Sequence, residues 1–158
     1  MQRIKFSCQK CGKCCRDLRR IDEDFGVSKG LMLFPEEKHL FPREKVFPLI
    51  AIGDSPTKII LYQLDENICP HLQDNKCIIY KDRPLICRAF PLRISSFGRV
   101  TYSRECPQLY PFEKIDVFVA PLEETALKEL EKKLRAFYEI DYSKKWVFDL
   151  ETKKWLRV

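Results

Sequence analysis

The sequence predicts a small, irregular, single-domain α+β protein organised around cysteine-ligated metal, with a C-terminal amphipathic helix and a terminal hairpin. Three observations predict this. All ten prolines fall between residues 21 and 121, which leaves room there only for short helices and strands. Leu127, Leu130, Leu134 and Phe137 recur at helical spacing on one face of a proline-free C-terminal stretch. Eight cysteines divide into four within residues 1–20 and four in the proline-punctuated middle.

Taken in order, Pro35-Glu36-Glu37-Lys38-His39-Leu40 reads as a short helix, with proline in its first turn and acids near its positive end. Lys58 to Leu64 is apolar and β-branched, hence a strand. Leu92 to Ser95 and Arg99 to Ser103 read as a hairpin about Phe97-Gly98. Leu122 to Tyr138 is the main helix, with Glu124/Lys128, Glu129/Lys133 and Glu131/Arg135 spaced for ion pairs along its other faces. Trp146 to Leu150 and Lys154 to Val158 form the final pair of strands. Residues 1–110 make up the cysteine-cluster region, and 111–158 supply the helix and strands that complete the core.

A chain of 158 residues buries enough surface to fold without cross-links. No apolar run approaches the ~20 residues of a membrane span, and no apolar leader follows Met1. A cytoplasmic location is therefore expected. In a reducing compartment, the cysteines point to metal or redox chemistry rather than disulfides. The charge is unevenly placed. Residues 1–20 carry seven bases and one acid, which accounts for the whole formal +6; the remaining bases and acids balance.

Cys8-Gln9-Lys10-Cys11-Gly12-Lys13-Cys14-Cys15 carries the chemistry. A two-residue spacer lets both sulfurs of a C-x2-C unit turn toward one metal, and Gly12 supplies backbone freedom behind the second cysteine. Two overlapping units give Cys8, Cys11 and Cys14 the spacing of ferredoxin-type clusters. Adjacent Cys14 and Cys15 tend to point apart, so Cys15 is expected at a second site or in a bridging role. Remote ligands come from Cys69, Cys77, Cys87 and Cys106, two of which, Cys69 and Cys106, precede proline. Spacing does not say whether there is one site or two. The C-x2-C unit is neutral between zinc and iron, and the triple spacing favours an iron–sulfur cluster, of 4Fe–4S type, over Zn2+. Lys10, Lys13, Arg16, Arg83 and Arg88 stand within a few residues of candidate ligands. There they can offset the anionic site, and Arg88, between Cys87 and Phe90-Pro91, is the favoured hydrogen-bond donor to sulfur.

Phe6-x-Cys8-x2-Cys11-Gly12-x-Cys14-Cys15-Arg16, Cys69-Pro70-x-Leu72, Cys77-Ile78-x-Tyr80 and Arg83-Pro84-x2-Cys87-Arg88-x-Phe90-Pro91 together resemble the YkgJ-type cysteine-cluster family. This is the CxxCxxCC zinc- or iron-chelating domain, often described as containing an iron–sulfur cluster. The resemblance spans roughly residues 6–106 and implies that all eight cysteines are metal ligands. It implies metal binding but no particular reaction.

The other signals are weaker. His71 and His39 read as a solvent-facing loop residue and a structural one. Asp22-Glu23-Asp24 reads as a solvated turn balancing Arg19 and Arg20. No catalytic set, phosphate loop or dinucleotide fingerprint is present. The expected function is an iron–sulfur protein handling electrons, alone or as an oxidoreductase component, with an acidic redox partner; nucleic acid is not expected. The alternatives are a zinc-stabilised structural or binding module and a metal-chelating or delivery protein without redox activity.

Overall fold

A computed structural model describes residues 3–22, 25–94, 100–103, 105–106, 117–138 and 145–158. The architecture is mixed α and β, and the chain divides into two compact units. One comprises Met1–Cys15 and His71–Leu134, the other Arg16–Pro70 and Arg135–Val158. Each unit is assembled from two separated segments.

The second unit is built on a five-stranded antiparallel sheet, in the order Lys154–Arg157, Lys145–Asp149, Val46–Ile52, Lys58–Leu64, Leu31–Leu33. The expected Lys58–Leu64 strand and C-terminal hairpin are both present. Pro48 has no N–H to give a ladder, and the pairing with the Lys58–Leu64 strand shifts register between Pro48 and Ile50, where a bulge absorbs it. Leu33, Phe34, Leu64, Ala51 and Val147 are buried. Pro35–Leu40 is a 3-10 helix with Pro35 in its first turn, and the Glu37 carboxylate accepts a 2.9 Å hydrogen bond from the Phe34 N–H.

Two buried polar groups hold this unit together. Gln63, fully buried, accepts from the Gly30 N–H at 2.9 Å and donates to the carbonyls of Pro48 at 2.8 Å and Phe148 at 3.2 Å. One amide thus ties three chain segments. Asp149 accepts from the Ser28 N–H at 2.9 Å and the Thr152 hydroxyl at 2.7 Å. Burial opposes its charge, but the Thr152 hydroxyl and the N–H groups of Ser28, Glu151 and Thr152 outweigh it and hold the carboxyl below its usual 3.8. Arg19 pairs with Asp65 at 2.7 Å, and Lys153 reaches the other Asp65 oxygen at 2.6 Å. Arg19 is thus paired with Asp65. In the Asp22-Glu23-Asp24 run, Asp22 pairs with Lys29 at 3.0 Å, and Glu23 and Asp24 lie outside the described residues.

In the first unit Arg3–Lys5 pairs in parallel with Val117–Val119. Leu92–Ile94 pairs antiparallel with Val100–Tyr102, as the sequence predicts; the turn expected at Phe97-Gly98 lies outside the described residues. A tight hairpin of Leu72–Gln73 and Lys76–Cys77 was not anticipated. Its turn residues Asp74 and Asn75 have φ of +50° and +61°, the pattern of a type I′ turn. The main helix runs Pro121–Tyr138, buries Leu127 and Leu130 and half-buries Leu134; the Phe137 side chain lies outside the described residues. No described helix is long and apolar enough to cross a membrane.

Gln63→Leu removes the side-chain partner of one N–H and two carbonyls. Since an unsatisfied buried polar group costs about 1–3 kcal/mol, the expected loss of stability is about 3 kcal/mol in a denaturant titration. A loss below about 0.5 kcal/mol would contradict this account.

Candidate metal centre

The Cys8–Cys15 segment folds as a knuckle. Lys10 adopts φ +55° and Gly12 φ +76°, two left-handed residues that reverse the chain between successive cysteines. The Lys10 N–H donates to Cys8 Sγ at 3.3 Å, and the Cys15 N–H closes a 3-10 turn on the Gly12 carbonyl at 3.1 Å. Gly12 is needed for a second reason. A Cβ at this position would overlap the Asn75 carbonyl oxygen and come within 2.8 Å of Leu72 Cδ1. The knuckle therefore lies directly on the Leu72–Cys77 hairpin, in which Cys77 is paired with Leu72. That hairpin is closed by the Ile78 N–H donating to the His71 carbonyl at 2.9 Å.

Behind the knuckle, Phe6, Cys106 and Ala120 form a buried cluster, with Cys8 and Phe90 packed against it. The next wall comes from the Tyr80–Asp82 3-10 turn and the Leu85–Ala89 helix. The Tyr80 hydroxyl is hydrogen-bonded to Cys8; burial, then this bond, raise the hydroxyl above its usual 10.0. The Arg83 guanidinium lies 3.9 Å from the centroid of the Tyr80 ring and Lys10 Nζ lies 4.8 Å from it, both within cation–π range. Arg83 Nε also donates to the Tyr80 carbonyl at 2.7 Å and Nη1 to the Cys87 carbonyl at 3.3 Å.

These walls enclose a cavity of about 260 Å3, lined by five cysteines: Cys8, Cys11, Cys14, Cys77 and Cys106. Its charged lining is Lys10, Lys13 and Arg83, with no carboxylate among the described residues. Cys11 is exposed, Cys8, Cys14 and Cys77 are half-buried, and Cys106 is buried. Cys14 and Cys15 diverge as their adjacency predicts: Cys14 lines the cavity, whereas Cys15 is buried and does not.

The other candidates do not line this cavity. Cys87 sits half-buried on the Leu85–Ala89 helix, outside the cavity lining. Cys69 is buried and belongs to the second unit. Arg16 belongs to the second unit. Arg83 lines the cavity, and Arg88 Nε donates to the Arg83 carbonyl at 3.1 Å. Tyr80 entered the sequence pattern without a role, and only the fold brings it to Cys8. Neither His71 nor His39 lines the cavity.

The donor set suits a thiophilic metal: five soft ligands round one space, with cations to balance thiolates. It is not a closed shell, since no three His, Cys, Asp or Glu side chains among the described residues are gathered to hold an ion. All eight cysteines are thiols in the structure.

The family model named CxxCxxCC, described as a "Putative zinc- or iron-chelating domain", matches residues 7–108. No curated protein and no solved structure matches the chain.

Gly12→Ala combines a left-handed backbone with overlap against Asn75, so it should lift the knuckle off the hairpin. The expected result is loss of at least half of the bound metal per chain and about 2 kcal/mol lower stability. Metal analysis of purified protein checks the first, and wild-type stoichiometry would refute the close-approach argument.

Proposed function

Because the chain belongs to the CxxCxxCC family of zinc- or iron-chelating domains, we propose that it is an iron–sulfur electron-transfer protein. In this reading Cys8, Cys11 and Cys14 hold the centre with a fourth thiolate from Cys77 or Cys106. The observation that carries it is that five cysteines from three separate stretches of chain line one cavity of about 260 Å3. A single zinc ion takes four donors at about 2.3 Å, whereas five thiols and three cations line this space, a larger donor set that supports a polynuclear centre. The ferredoxin-like spacing of Cys8, Cys11 and Cys14 supports the same choice.

Bound there, an iron–sulfur cluster supplies one-electron redox chemistry. The protein's own part is to position and insulate. The Lys10 N–H and the Tyr80 hydroxyl are hydrogen-bonded to Cys8, and such bonds to a ligand sulfur raise a cluster's reduction potential. Phe6, Phe90 and Ala120 wall one side with apolar surface, which limits water at the buried ligands. Lys10, Lys13 and Arg83 offset the negative charge of four thiolates. This assignment draws on five of the eight cysteines and gives none of them to catalysis.

Anaerobic purification followed by metal, sulfide and visible-absorption analysis tests the proposal. It predicts iron and acid-labile sulfide together, with a brown chromophore that bleaches on reduction. Stoichiometric zinc, without iron, sulfide or colour even after anaerobic reconstitution, would replace it with a zinc-stabilised module.

A further inference from the structure

The cavity is asymmetric. On one side it is closed by Phe6, Cys106 and Ala120, all buried, with Phe90 packed against them. Away from that side stands Cys11, the one exposed cysteine of the five that line it. Lys10 and Lys13 flank Cys11 on both sides in sequence, and both are exposed and line the cavity. The first fifteen residues carry four basic side chains and no acidic one. Ile78, which follows the cavity residue Cys77, is 54% exposed, an apolar contact beside the charged rim.

We propose that the Cys11 edge is a docking surface for an acidic electron-transfer protein, steered by Lys10 and Lys13. The inference rests on the iron–sulfur reading above. Transient redox complexes bury little area and depend on charge complementarity for encounter. The chemistry is one electron passing between the centre and the partner's own redox group. One is oxidised as the other is reduced, and no bond or proton moves. Electron transfer favours the shortest approach, and the apolar side offers none. A partner must therefore sit over Cys11, where the field it meets is positive.

Two measurements test this, and both use pairs of small probes that differ in charge. In metal-free protein, alkylation by anionic iodoacetate and neutral iodoacetamide is followed at each cysteine by peptide mass spectrometry. Cys11 should label first among the five. Its iodoacetate-to-iodoacetamide rate ratio should fall roughly tenfold in Lys10→Glu/Lys13→Glu, the scale of charge steering in a focused field. Taking the ratio cancels any change in thiolate fraction. In the reduced holoprotein, ferricyanide oxidation should slow by a similar factor in the same variant, while oxidation by hexaammineruthenium(III) speeds up. Lys13→Glu alone, at an exposed site in the 3-10 turn, should show smaller changes of the same sign even if the double variant folds poorly.

Unchanged ratios with an intact chromophore would overturn the inference and leave the iron–sulfur reading standing. A colourless zinc protein would overturn both. Tight, salt-sensitive binding of a mixed-sequence oligonucleotide would assign the edge to nucleic acid and overturn the acidic partner.

Discussion

Where Gly12 meets Asn75 there is no room for a methyl group, and the carbonyl oxygen of Asn75 occupies the space a side chain would need. That contact decides the rest of the site. It seats the Cys8–Cys15 knuckle on the Leu72–Cys77 hairpin, so the first three cysteines share a cavity with Cys77. Two local requirements must hold together for this. Asp74 and Asn75 turn the hairpin through positive φ, and Gly12 itself sits at φ +76°. Both are conformations that only a few residue types adopt at low cost.

The cavity depends on elements far apart in the chain. Cys106 and Ala120 back it with Phe6, and Tyr80 and Arg83 wall it from the segment before the short Leu85–Ala89 helix. Arg83 is the link between these parts. It packs over the Tyr80 ring and bonds the Tyr80 and Cys87 carbonyls, and so holds the ring whose hydroxyl reaches Cys8. The positive charge at the site is thus built in by the same residues that shape it. The sequence-wide excess of +6 is better understood as two parts. Lys10 and Lys13 belong to the cysteine unit, and Arg16, Arg19 and Arg20 to the other, where Arg19 pairs with Asp65.

What was legible in the sequence is what local pattern dictates. The Lys58–Leu64 strand, the C-terminal hairpin and the Pro121–Tyr138 helix each declare themselves through periodicity and side-chain type. The C-x2-C-x2-C-C run declared the metal chemistry in the same way, because the motif is contiguous. Long-range pairing was not legible. Nothing near Gln63 indicates that its amide will bridge Gly30, Pro48 and Phe148. Proximity in sequence to Cys87 likewise does not say that Arg83 lines the cavity. The Asp74-Asn75 turn is different. Its residue types carried a usable hairpin signal, but the flanking strands are two residues each, too short for alternation to register.

X-ray absorption at the iron edge of the iron-loaded protein tests the central claim most directly, that thiolates from the knuckle and the remote wall converge on one polynuclear centre. The account predicts a first shell of sulfur alone, with iron neighbours in the second. A first shell dominated by nitrogen or oxygen, or a sulfur shell with no second metal, would contradict it.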